Sequence, residues 1–136
     1  MPVTWTMLVA VGTGGALGAV ARFAVWRQVN LWLGTLLPWG TLAVNVLGSF
    51  LLGFLAVWFR SRLELSPEWQ ALWTVDCLGA FTTFSTLSIE VLGLLQAGAG
   101  FRALATIAAN VLLAIGCCGG GVLLARSLGK ALNAAG

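Results

Sequence analysis

Four long apolar stretches separated by short polar connections dominate the pattern along the chain. The first runs roughly from Val3 to Trp26, the second from Trp39 to Phe59, the third from Ala71 to Leu95 and the fourth from Ala103 to Ala125. Each reaches the roughly 20 residues that a helix needs to cross a hydrocarbon layer about 30 Å thick. In lipid only helices and closed barrels satisfy every backbone N–H and C=O, and uninterrupted apolar runs of this length predict helices. The pattern therefore predicts an all-α integral membrane protein, residues 1–136 forming a single transmembrane domain of four helices. Only Arg60–Gln70, RSRLELSPEWQ, reads as a frank aqueous loop. Within it Ser66, Pro67 and Glu68 read as a helix start, a serine N-cap followed by proline in the first turn.

Composition removes the soluble alternative. Of the 136 residues, 60% are hydrophobic and 8% charged, against about 25% charged in an ordinary soluble domain. A small soluble domain leaves too much surface exposed to hide that much apolar side chain. Lipid is then the solvent for most of it. The chain has no histidine and no GxxxxGK[ST] phosphate loop, so neither a nucleophile–base pair nor ATP use is expected, and the chain does not read as an enzyme. Cys77, Cys117 and Cys118 all lie in apolar stretches. Their odd number and the lack of CxxC spacing make them small buried hydrophobes rather than a disulfide framework or zinc ligands. The N-terminus lacks a basic n-region and its apolar run is followed by three more, so it reads as a span and not as a cleavable signal.

Charge and small residues bear on assembly. The net charge of +3 comes from Arg22, Arg27, Arg60, Arg62, Arg102, Arg126 and Lys130 against Glu64, Glu68, Asp76 and Glu90. Nearly all the cations sit at segment ends, where long side chains snorkel to water, and Trp26, Trp32, Trp39, Trp58, Trp69 and Trp73 cluster there as in an aromatic belt. With the N-terminus inside, Arg60, Arg62, Arg126 and Lys130 face inward and Arg22, Arg27 and Arg102 outward, almost no positive-inside bias. Either the chain inserts both ways and opposed copies pair as an antiparallel dimer, or a single orientation is set by something other than charge. Gly14/Gly18, Gly15/Ala19 and Gly116/Gly120 are small residues one turn apart, which lets helices approach closely. A tight four-helix bundle leaves little interior for a pathway, a further reason to expect a dimer.

The chemistry lies in segments two and three. Gly79–Glu90, GAFTTFSTLSIE, places five hydroxyls and a carboxylate in an apolar span. Such groups are expensive unless they face protein or water. Serine and threonine also bond their own backbone and help a helix tolerate a break, which in a bilayer is viable only where it is buried or lines a cavity. At about 100° per residue, Thr82, Thr83, Thr86 and Glu90 share one face, with Phe84 and Leu87 as an adjacent apolar ridge. The hydroxyls either satisfy one another inside a bundle or form a polar track for an ion. In segment two Asn45 is a lone amide in an apolar helix. It either hydrogen-bonds a neighbouring helix or offers its NH2 in place of water around an anion.

Three motifs in order, GGALGAVARF (Gly14–Phe23), GTLAVNVLGSFLLG (Gly40–Gly53) and GAFTTFSTLSIE (Gly79–Glu90), resemble those of the Fluc (CrcB) family of fluoride channels, and the resemblance covers all four segments. It implies an antiparallel dual-topology dimer with two fluoride pores, and a structural sodium ion at the dimer centre held by backbone carbonyls at a break in the third helix. By motif position those carbonyls belong to Gly79 and Thr82. Asn45 matches the family's pore asparagine, Phe84 the first phenylalanine of its aromatic box, Ser85 and Thr86 its hydroxyl track beside Thr83, Glu90 the carboxylate near the end of that track, and Arg22 the arginine closing the first motif. Two positions depart from the pattern: Leu87 stands where the second box phenylalanine is expected, and Asp76 where a small residue is. An acid in the track would repel fluoride unless paired or outside it.

The reading that follows is a fluoride channel in the cytoplasmic membrane of a bacterium. It lets the anion out passively along an inside-negative potential and so lowers intracellular fluoride. Leu87 motivates the alternative of a partner subunit in a heterodimeric channel. A small proton-coupled drug transporter is a rival from another class, but it needs a mid-span acid, usually in the first helix, and segment one has none, while Asp76 and Glu90 lie in segment three.

Overall fold

The first helix begins where a hydroxyl meets its first free donors. Thr4 is extended and accepts from the Met7 N–H at 3.2 Å, satisfying one of the N–H groups that a helix start leaves without a partner. The computed structural model describes residues 3–62, 65–66, 69–70 and 72–135. Helix α1 spans Trp5–Leu33 and stops at Gly34, whose φ of 78° favours glycine and whose N–H closes on the Asn30 carbonyl at 2.9 Å. Helix α2 spans Trp39–Arg62. Pro67 and Glu68, on which the expected second-loop helix start rests, and the side chain of Trp73 lie outside the described residues.

The third apolar stretch is not one α-helix. It is π-helical over Leu72–Cys77 and continues as α3, Leu78–Phe81. Thr82 (φ −79°, ψ 159°) and Thr83 (φ −151°, ψ 121°) are extended, and α4 runs Phe84–Gln96. In the π segment Thr74 Oγ1 donates to the Gln70 carbonyl at 2.6 Å, a side-chain bond that competes with the regular backbone ladder. Helix α5, Gly100–Ala135, completes the chain. The described residues contain no strand, and four stretches are long and apolar enough to cross a membrane: Trp5–Leu33, Trp39–Ser61, Leu78–Gln96 and Gly100–Ala135. α1 passes the expected end at Trp26 and α5 the expected end at Ala125. Helix ends follow capping and backbone hydrogen bonds, not the last apolar side chain.

Two seams hold the chain together. In the first, α1 lies on the π segment and α3. A Cβ on Gly14 would stand 2.8 Å from the Leu72 carbonyl oxygen, and one on Gly18 would fall on the Cys77 carbonyl oxygen. These are the carbonyls at the two ends of the π segment, and only glycine at these two positions leaves room for them. In the second, α2 packs along α5, with Gly53 against the Cys118 carbonyl and Gly121 against the Phe50 carbonyl. At Gly15, Gly116 and Gly120 no described residue of a neighbouring element of the same chain lies within 4 Å of where a Cβ would stand, and within the Gly116–Gly121 run it is Gly121 that meets α2. A four-residue spacing identifies small faces but not the face that meets a helix of the same chain.

Candidate functional site

The inner face of α2 carries Thr41, Val44 and Gly48, all buried, at the i, i+3, i+7 spacing of one helical stripe. Asn45 lies beside them and faces the extended pair Thr82–Thr83. Its Oδ1 accepts from the Thr83 N–H at 2.8 Å and its Nδ2 donates to the Thr83 carbonyl at 3.0 Å. The amide thus pairs with the Thr83 backbone as a neighbouring strand residue would. An unpaired buried N–H or C=O costs about 1–3 kcal/mol, and this one side chain satisfies both. A backbone N–H only donates and a C=O only accepts, so Thr83 dictates which way the Asn45 amide points. The second Nδ2 hydrogen is then aimed at α5, where Asn110 Oδ1 accepts it at 2.9 Å. Asn110 is 4% exposed and its own Nδ2 donates to the Thr106 carbonyl at 3.0 Å.

Thr83 also starts α4. Its Oγ1 accepts from the Thr86 N–H at 3.2 Å and donates to Thr86 Oγ1 at 3.0 Å, and Ser85 Oγ stands 3.4 Å away. The N-cap is the same kind of device as Thr4 on α1. Thr82 turns the other way: its hydroxyl reaches back to the Leu78 and Gly79 carbonyls at 3.3 and 3.4 Å. The continuous face expected for Thr82, Thr83, Thr86 and Glu90 is therefore corrected. The extended pair resets the helical phase, so Thr82 goes with α3 while Thr83, Thr86 and Glu90 follow α4.

Three cavities share walls along this region. The first, of about 280 Å³, is lined by Asn45, Ser49, Thr83, Phe84, Leu87 and Asn110 among others. The second, also about 280 Å³, is lined by Arg22, Trp26, Thr83 and Thr86. The third, about 320 Å³, includes Trp26, Asn30 and Glu90. Thr83 lines the first two and Trp26 the last two. Trp26 Nε1 and Glu90 Oε2 are both buried and have no hydrogen-bond partner among the described residues.

The two ridge residues part company. Phe84 is 77% exposed, whereas Leu87 is 5% exposed although both line the first cavity. Ser85 is exposed and Gly79 is exposed with open space around it. Asp76 lines none of the three cavities. It lies beside Gly14, its Oδ2 buried without a hydrogen-bond partner among the described residues. Sequence reasoning did not place Asn110 or Trp26 at the site. Asn110 carried the same signal as Asn45, a lone amide in an apolar segment.

These features define an all-helical protein with four helices apolar enough to cross a membrane, and with an amide–hydroxyl groove where α2, α5 and the start of α4 meet. Residues 9–122 match the family described as CrcB-like protein, Camphor Resistance (CrcB), and the chain belongs to that family. It is 46% identical over 115 residues to the Fluoride-specific ion channel FluC of Magnetococcus marinus, across 85% of this chain and 89% of that one. A protein of the same name from Sulfurovum sp. is 48% identical over 109 residues, 80% of this chain and 85% of the relative. Another from Rhodospirillum centenum is 44% identical over 121 residues, 89% of this chain and 96% of the relative.

Proposed function

We propose that this chain is a fluoride-selective channel that lets fluoride leave the cytoplasm passively. The observation that carries the reading is the groove where the Asn45 amide, the exposed Phe84 and Thr83 converge, the Thr83 hydroxyl leading on to that of Thr86, in a chain whose relatives are named fluoride-specific channels. Amide and hydroxyl donors replace the hydration shell of a small anion, and their number and spacing set selectivity. An aromatic ring is positive at its edge, so Phe84 presented edge-on meets an anion favourably. Ser85, Thr86 and Glu90 continue the path from Asn45, with Leu87 as its apolar wall and Arg22 as the cation at its vestibule. Four membrane-crossing helices and the bacterial relatives support a multi-pass protein of the cytoplasmic membrane.

An antiparallel dual-topology homodimer suits the near-balanced flank charges. It also suits the exposed apolar rows on α1, α4 and α5, including Leu17, Phe84 and Leu112, which need lipid or a second copy to cover them. A sodium ion at its centre fits the end of α3. Within a continuous helix the Gly79 carbonyl would accept from the Thr83 N–H, but that N–H donates to Asn45 instead. The Gly79 and Thr82 carbonyl oxygens would hold the ion with their counterparts from the second copy, and the ion would add fixed positive charge at the interface.

The test is fluoride efflux from liposomes containing only this chain. Efflux that persists without a proton gradient and is not matched by chloride is expected; a fluoride-tight membrane would overturn the homodimeric channel. The second reading, a partner subunit that conducts only beside an unlike chain, rests on Leu87. Leu87→Phe adds a second ring to the groove wall and should raise fluoride flux severalfold. Thermal unfolding should accompany the flux assay, because overpacking commonly costs about 1–3 kcal/mol. If the folded variant conducts no better than its parent, leucine is adequate there. A parent that conducts only when mixed with a homologous chain favours the heterodimer.

A further inference from the structure

We propose that Asn110 is a place-holder for the anion: its Oδ1 occupies the position at the Asn45 amide that fluoride takes over, so Asn110 sets the affinity of that station. The inference rests on the channel reading above. Asn45 Nδ2 has two hydrogens, and both are engaged, one by the Thr83 carbonyl at 3.0 Å and one by Asn110 Oδ1 at 2.9 Å. An anion arriving in the groove finds no free Asn45 donor and must displace one of these acceptors.

The two acceptors are not equivalent. Releasing the Thr83 carbonyl undoes a two-bond pairing with the extended backbone and leaves a buried C=O without a donor. Releasing Asn110 also frees a buried oxygen, but it breaks one bond across the helices and not a two-bond pairing, and it moves only a side chain that can turn toward other donors. The terminal χ2 rotation of asparagine is soft. The Thr106 carbonyl, which accepts from Asn110 Nδ2, keeps its own helical donor, the Asn110 N–H, when the amide turns. The swap exchanges a neutral N–H···O bond for an N–H···F⁻ bond, and bonds to an ionised acceptor are roughly twice as strong. Fluoride is also close to an oxygen atom in size, whereas chloride is distinctly larger. With Asn110 4% exposed and packed on α2, the place vacated by an amide oxygen is shaped for the smaller ion.

The experiment is fluoride flux against fluoride concentration in liposomes holding the full chain, its Asn110→Leu variant or its Asn110→Asp variant. Leucine removes the competing acceptor at similar volume, and the half-saturating fluoride concentration should fall about tenfold. Aspartate holds the Asn45 donor more strongly and adds a negative charge, and half-saturation should rise at least about tenfold. A purely structural Asn110 would lower maximal flux in both variants with half-saturation unchanged, and that result overturns the proposal. The unsubstituted protein supplies an independent readout should either variant fail to fold. In a fluoride titration followed by solid-state NMR, the Asn45 and Asn110 side-chain amide signals should move together with one midpoint. An Asn110 signal that stays still while Asn45 responds overturns it too. If the parent passes no fluoride and neither amide responds, the channel reading itself has failed and the inference falls with it.

Discussion

Asn45→Asp is expected to reduce fluoride flux at least about 100-fold. The substitution keeps shape and volume but replaces an NH2 with a second acceptor oxygen. The Thr83 N–H still has its partner, while the Thr83 carbonyl and Asn110 Oδ1, which now accept from Nδ2, would both face an oxygen. Two buried acceptors left without donors cost about 1–3 kcal/mol each in stability, while the lost donor removes a charge-assisted contact to the anion worth about 1.5–3 kcal/mol, and each 1.36 kcal/mol is tenfold in a rate. The added negative charge then opposes entry of an anion, so transport should suffer more than assembly. Asn45→Leu separates the two effects, because it removes the donor without adding charge and should leave more flux than the aspartate. Efflux from liposomes, with size-exclusion chromatography to check folding, measures both. Near-normal flux in folded Asn45→Asp would return Asn45 to a role as helix glue.

Gly18→Val should abolish most of the folded protein. A Cβ there lands on the Cys77 carbonyl oxygen, with the Ala80 side chain 3.1 Å away. The obstacle is backbone and cannot turn aside, and valine adds two methyl groups with little rotameric choice. Overpacking of an ordinary core commonly costs about 1–3 kcal/mol, and a clash with main chain belongs at or above the top of that range, against a total stability of about 5–15 kcal/mol. Gly116→Ala is the control. Among the described residues nothing packed against α5 lies within 4 Å of its Cβ position, and alanine is the better helix former by about 1 kcal/mol. Monodisperse yield and thermal unfolding in detergent should show a severe loss for the first and little change for the second. Equal loss in both would mean that glycine content, and not the α1 seam, governs folding.

Much of this architecture is local and therefore legible in sequence. Whether a stretch can cross a membrane depends on its own length and apolarity, because lipid tests each segment separately. Four such stretches could be read directly, as could the polar character of Thr82–Glu90 and the isolation of Asn45 among apolar neighbours. The motifs around Gly14, Asn45 and Phe84 also carried the family, because residue order is the property that a family match compares. Helix ends were less legible: α1 reaches Leu33 because Gly34 can adopt a positive φ, a capping event that apolarity does not report.

What only the tertiary structure decided is which residues meet. Asn45 and Asn110 are far apart in sequence and each looks like any lone amide in an apolar helix. Their bond exists because α2 packs along α5, and no periodicity within either segment encodes that. Gly18 and Gly116 have equivalent spacing partners, yet one meets a backbone carbonyl and the other meets no neighbouring element among the described residues. Phe84 and Leu87 form one ridge by helical arithmetic, yet one is exposed and the other buried, because burial depends on the element packed opposite. Thr82 and Thr83 are neighbours of the same type whose hydroxyls point to different helices. The extended pair resets the phase, and the Asn45 amide supplies the hydrogen bonds that let Thr83 stay extended.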